Sequence, residues 1–441
     1  MRHSLKAFKL FWVLLFVSSL FGVNISSAES LPHAVSAESV KHLRDGVFLN
    51  KSDIFKIANV HIRNYLSQDV QTHGMQLKAS DSFINVYDTD NNLFAYLVPL
   101  LNKNKEIGYI TIGSLEDGYD SYDIFIQDGI VDKIRSQLWK PERSSDQAQL
   151  VFIPPMQYLV KTVSDGEETF TSLSLYKNTP SLDVTSIVKN NKDEINKTFD
   201  QIRNEENKFH IKKLIEKAPA VTTLAVAVED YELSVERNYG MFVPVEYQTG
   251  VYSYGGNQMW WPDGSQKENR GCGPVAAGNI TSYLAKITSP AKYGNLYTGS
   301  TLSYSDFLAH MDTMYAYINP GPLGETSVNS FSSAVERYAA DKGVSLNRVT
   351  SSAAFTLDNT ASYIKAGLAI DSPVATLNLS KFSSYEYEWH WMTITKYYRD
   401  ASDNRWIAVS TWGERRSINY RTHFDAINSY WSLGGGFMYF Q

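Results

Sequence analysis

Between Ser52 and Gln68 the apolar positions Ile54, Ile57, Ala58, Ile62, Tyr65 and Leu66 recur with the period of one helical face, behind a serine that can cap the first turn. The pattern then changes to runs of β-branched and aromatic residues at 83–88, 93–101, 107–112, 123–126, 150–153, 158–163 and 170–176. The first three are separated by Thr89-Asp90-Asn91-Asn92 and Asn102-Lys103-Asn104-Lys105, which read as hairpin turns. One helix packed on an antiparallel meander is predicted. From 182 to 218 charges alternate in sign around the sparse apolar positions Ile195, Phe199 and Ile202, the pattern of a solvated helical connector. Small residues follow from Ala218 to Thr223, so a linker open to proteolysis and a domain boundary near 220–240 are expected.

In the second half Ala276, Ile280, Tyr283, Leu284 and Ile287 mark a helix that begins at Cys272, with Pro274 in the first turn, where a missing N–H costs nothing. Further helices are predicted at 303–317, at 328–342 with Gly343 as its stop, and at 359–369. Strand patterns occupy 374–379, 391–398, 406–412, 416–420 and 437–440. Helices first and antiparallel strands later predict an α+β domain of two facing halves.

Arg2, Lys6 and Lys9 precede an apolar run from Leu10 to Val23 and then Ser26-Ser27-Ala28, the layout of a secretory signal peptide cut after Ala28. The run is short for a membrane span, so a secreted, extracellular or wall-associated protein is expected, touching membrane only during export. A net charge of −6 argues against nucleic acid as a partner. Asp88 to Asn92 begins like a calcium loop, but Leu93 and Pro99 stand where glycine and a bidentate glutamate belong, which leaves a turn. Asp117, Asp120 and Asp123 read as a solvated loop. With no metal-ligand spacing, phosphate loop or haem motif in view, no cofactor is expected.

Cys272 is the only cysteine in 441 residues, and an unpaired cysteine in an exported chain points to a reactive thiol. A sulfur at a helix N-terminus feels unpaired N–H groups that favour thiolate, and the flanking Gly271 and Gly273 are expected to leave it uncovered. A base is needed, and the C-terminal half holds three histidines. His310 falls inside a helix and His423 in a polar turn. His390, in Glu388-Trp389-His390-Trp391 at the mouth of an apolar strand, is the best placed. Gln266, six residues before Cys272, suits an oxyanion donor, with Gln258 as its rival. Ser410, in Val409-Ser410-Thr411-Trp412-Gly413, is a candidate to orient the imidazole.

A Gln six residues before Cys-Gly at a helix start, a His heading a later strand and a subsequent Trp-Gly together resemble the papain-like cysteine peptidase superfamily. The resemblance implies Gln266 as oxyanion donor, Cys272 as nucleophile and His390 as base. The superfamily usually has Asn two residues before Trp-Gly; here that residue is Ser410, with Asp403 and Asn404 as nearby substitutes. Gly-Cys-Gly-Pro-x-Ala-Ala is similar to the bacterial double-glycine-peptidase-like group over about 240–441. Asn92 to Tyr96 and Gly108 to Ile110 resemble the prosegment of streptopain-like enzymes. The implied plan is a signal peptide (1–28), an α+β prodomain (29–180), a charged helical connector and linker (181–240) and a papain-like domain (241–441). Its helical half would carry the cysteine and its antiparallel β half the histidine. The implied function is a secreted cysteine endopeptidase made as a zymogen, acting on protein or peptide substrates through a thiolate–imidazolium pair, with its own prodomain as inhibitor. A papain-like acyltransferase or cell-wall amidase using the same residues, and an inactive surface-binding or inhibitory homologue that retains the fold, remain alternatives.

Overall fold

Lys103 and Asn104, both with positive φ, close a two-residue hairpin between strands of ten and nine residues, as the asparagine-rich turn predicts. The computed structural model describes residues 46–139, 147–154, 156–173, 181, 183–217, 227–321, 326–379, 388–427 and 436–441. The expected signal peptide lies outside the described residues, as do 218–226 within the expected linker. The N-terminal meander comprises β1 (Leu77–Ala79), β2 (Ile84–Tyr87), β3 (Leu93–Asn102), β4 (Lys105–Gly113), β5 (Ser121–Ile126), β6 (Gln147–Ile153), β7 (Gln157–Ser164) and β8 (Glu167–Ser172). The later strands are β9 (Ala227–Glu232), β10 (Pro244–Gln248), β11 (Val251–Tyr254), β12 (Val374–Leu379), β13 (Glu388–Asp400), β14 (Arg405–Thr411), β15 (Glu414–Asn419) and β16 (Phe437–Met438).

The protein is mixed α+β. Fourteen of these strands form one sheet in the order β16-β12-β13-β14-β15-β5-β4-β3-β2-β6-β7-β8, with β1 beside β3 and β9 beside β13. The pairing is antiparallel throughout except between β2 and β6. The two halves of the chain meet where β15 pairs with β5, Ser417 opposite Ile124 and Ile418 opposite Asp123. Strand β14 is buried at every position because both of its faces are covered, Ile407 and Val409 by one core and Trp406 by the other.

On one face the helix Lys51–His61, capped by Asn50 rather than Ser52, runs into a π-helical turn, Ile62–Leu66. It packs Ile54, Ile57, Ala58 and Tyr65 against Val98, Ile110 and Ile124 of the meander and against Tyr398 and Trp406 of the later strands. Tyr65 stacks on Trp406 with centroids 5.5 Å apart, the kind of pair worth about 0.5–1.5 kcal/mol beyond the area it buries. In the C-terminal half the helix Cys272–Tyr283 is buried from Gly273 to Tyr283 and is flanked by the helices Tyr304–Ile318 and Val328–Asp341 and by β13. It is the central helix of the larger core.

Four expectations change. Asp117, Asp120 and Asp123 are buried rather than solvated, because each finds a side-chain partner far along the chain: Lys208, the His61 ring and Arg416 respectively. The strand expected at 416–420 starts at Glu414 and gives way at Tyr420 to a helix, Tyr420–Ala426, so His423 sits fully buried on that helix and not in a polar turn. The connector does form helices, Thr185–Asn190, Lys192–Ile202 and Lys208–Lys217, but Ile195, Phe199, Ile202 and Ile211 are buried in the two cores. Strand β9 falls inside the stretch expected to be a boundary, where its alternating exposure carries little apolar signal.

Candidate active site

The cysteine helix begins at Cys272 with Gly271 as its N-cap residue. Gly271 is buried: a Cβ there would stand 2.1 Å from the Trp261 ring and 2.4 Å from the Lys267 carbonyl. Gly273 packs on Thr326, which a Cβ would meet at 3.1 Å. The glycines therefore serve to bring the helix start against its neighbours, not to expose the sulfur. Cys272 is half-buried by surface area, yet its sulfur is surrounded by packed protein. Burial pushes the thiol above its ordinary pKa, and backbone hydrogen bonds from Trp391, Gly273 and Cys272 itself offset only part of that rise.

His390 enters the same crevice from β13. The crevice is narrow and is lined by Cys272, His390, Gln258, Ser410, Thr411 and Trp412, among others. The imidazole is 3% exposed. Burial drives its pKa down to about 3, so it is neutral at physiological pH. Thiol and imidazole are thus both held in their neutral forms, where the thiolate–imidazolium pair was expected.

The group that holds His390 is Thr411: Nε2 and Oγ1 are 2.8 Å apart. Ser410 Oγ donates instead to the Tyr254 carbonyl at 2.5 Å, tying β14 to the segment that leads toward the cysteine helix. Successive residues of a strand face opposite ways, and Thr411 rather than Ser410 takes the face toward the ring. Trp412 covers the other side of the imidazole, stacked at 3.9 Å with planes 8° apart. Asp403 and Asn404 lie at the far end of the β13–β14 hairpin, where Asp403 pairs with Arg405 and Arg421.

Gln258 lines the crevice beside Cys272 and His390, whereas Gln266 is exposed on the short helix Gln266–Arg270 and does not line it. Gln258 Nε2 donates one hydrogen to the Glu268 carbonyl at 2.8 Å, which fixes the amide and leaves its second N–H. The structure therefore brings Cys272, His390, Gln258, Thr411 and Ser410 around one crevice, with the Ser410 hydroxyl bonded to the Tyr254 carbonyl. His310 and His423 are each bonded elsewhere, to Thr281 and to Thr376. Among the described residues, no group of three or more His, Cys, Asp or Glu side chains is arranged to hold a metal. No protein-family model matches the chain, and a search of curated proteins finds no significant match.

Proposed function

We propose that this protein is an exported cysteine peptidase of papain-like type, with Cys272 as nucleophile and His390 as base. The observation that carries the reading is one crevice lined by the lone cysteine at a helix start and by a histidine from the facing sheet. Thr411 bonds Nε2 and steadies the ring that would take the thiol proton. Because both groups rest neutral, the proton moves as the sulfur attacks the peptide carbonyl, and no ion pair stands ready beforehand. The Cys272 N–H and the Gln258 amide would receive the oxyanion, with Gln266 left outside the site. His390 then protonates the leaving amine, and water releases the acyl group. The peptidase reading predicts that the purified full chain hydrolyses casein and that Cys272→Ala abolishes this; casein left intact by the wild-type chain would sink it.

A second reading has one observation in its favour. The raised thiol and the lowered imidazole also suit a homologue that keeps the fold without the activity. Casein separates the two, because a resting neutral thiol alkylates slowly near pH 6 under either reading. Casein untouched by the purified full chain selects the inactive homologue.

A further inference from the structure

Strand β15 carries two adjacent arginines, and each is neutralised by an aspartate of the N-terminal segment. Arg415 reaches Asp69 at 2.7 Å and Glu236 at 2.5 Å, with all three side chains at most 1% exposed. Arg416 pairs with Asp123, both side chains fully buried. Asp123 also accepts from Tyr109 at 3.1 Å and Tyr158 at 2.6 Å. Around these pairs, Asn64 donates to Asp400 at 2.9 Å, Tyr65 bonds Ser417 at 2.7 Å, and Asn419 donates to the Ser121 carbonyl at 2.8 Å. Burial alone would raise the Asp69 carboxyl, but Arg415 and Lys396 hold it below the ordinary value.

This is the interior of one protein, not the face of a detachable lid. If residues 46–217 left, β15 would lose its partner β5 and become a sheet edge with two guanidinium groups stripped of their buried counter-ions. The geometry of the crevice agrees. Every described residue lining it lies between Gly256 and Trp412, so none comes from 46–217. The described N-terminal residues brace the catalytic half from behind.

We infer that residues 46–217 are a permanent half of the folded protein, and that a backbone cut between Lys217 and Ala227 leaves the two fragments bound as a non-covalent pair. The N-terminal part is then a retained subunit and not a prosegment that is shed. The inference does not rest on the peptidase reading, and neither does its test. A site-specific protease sequence is inserted between Lys217 and Ala227 of the full chain, the folded protein is cut, and the product is passed over a gel-filtration column in 1 M salt. Co-elution of both fragments at the mass of the uncut chain is expected. Separate elution, or precipitation of either fragment on cutting, overturns the inference. In the cut protein Asp123→Asn is expected to weaken retention of the N-terminal fragment at least tenfold on dilution. Retention as tight as in the cut wild type would overturn the role given to the buried pairs.

Discussion

The imidazole of His390 lies flat on the indole of Trp412, with ring centroids 3.9 Å apart and planes 8° from parallel. Trp412 reaches this place through the tight turn between Thr411 and Glu414, where it has φ 47° and Gly413 has φ 75°. Such turns favour Asn-Gly, and a bulky residue with positive φ costs on the order of 1–3 kcal/mol. The stack and the burial of the indole offset that strain. Trp412→Leu is expected to lower kcat/KM by up to roughly tenfold, the equivalent of one aromatic contact. It should also move the His390 pKa upward from about 3, since water then reaches the ring. An NMR titration of the histidine resonances reads the shift, and an unmoved His390 would refute the covering role of the indole.

Ser410 and Thr411 separate cleanly as targets. Thr411→Ala removes the hydrogen bond between Oγ1 and Nε2 and loosens the ring. A loss of about 10²-fold in kcat is expected, the scale of a misplaced catalytic group, with KM little changed. Ser410→Ala removes a bond to the Tyr254 carbonyl instead. It is expected to cost about 1 kcal/mol of stability and to leave kcat within about twofold. Urea unfolding beside steady-state kinetics distinguishes them, and equal kinetic losses in both variants would contradict the assignment.

For the oxyanion, Gln258→Ala is expected to lower kcat by about 10²–10³-fold, the effect of deleting one donor. Gln266→Ala should behave as wild type, because that side chain is exposed outside the crevice. The reverse result would restore Gln266.

Cys272 and His390 were legible in the sequence because they are rare residues in distinctive settings: the one thiol at a helix start, and a histidine on an apolar strand. The donor and the ring-holding group were not. Choosing Gln258 over Gln266 depends on a short 3-10 turn, Gln258–Trp260, that folds back onto Glu268, and spacing from the cysteine says nothing about that fold-back. Choosing Thr411 over Ser410 turns on which face of β14 meets the histidine; the register supplies this, Thr393 opposite Ser410, and strand parity could have suggested it. The meander and the helices followed from periodicity. The single sheet across both halves did not, because the β5–β15 pairing joins residues nearly 300 positions apart through charged side chains that read, one by one, as surface. Asp123 looked solvated for the same reason, its partner Arg416 lying on β15.

Acid sensitivity follows from the buried histidines. Burial lowers His310, His390 and His423 to about 3 in the folded protein, with Lys342 adding to the effect on His310. Each takes up its proton near the ordinary 6.5 once unfolded, so each contributes stability that is complete above pH 6.5 and is lost as pH falls from there toward 3. Two carboxyls act in the opposite sense. Burial raises Glu232 to about 7, with the nearby Glu236 adding to it, and burial raises Asp425 to about 6. Their contributions grow as the pH falls through the same range. Three groups against two leave a net loss on acidification, at about 1.4 kcal/mol per proton per pH unit. The urea midpoint is therefore expected to fall between pH 7 and pH 5, and His310→Gln, which keeps a partner for Thr281 without a titrating ring, should flatten that fall. A midpoint that rose on acidification, or an unchanged slope in the variant, would show that these histidines are not held neutral.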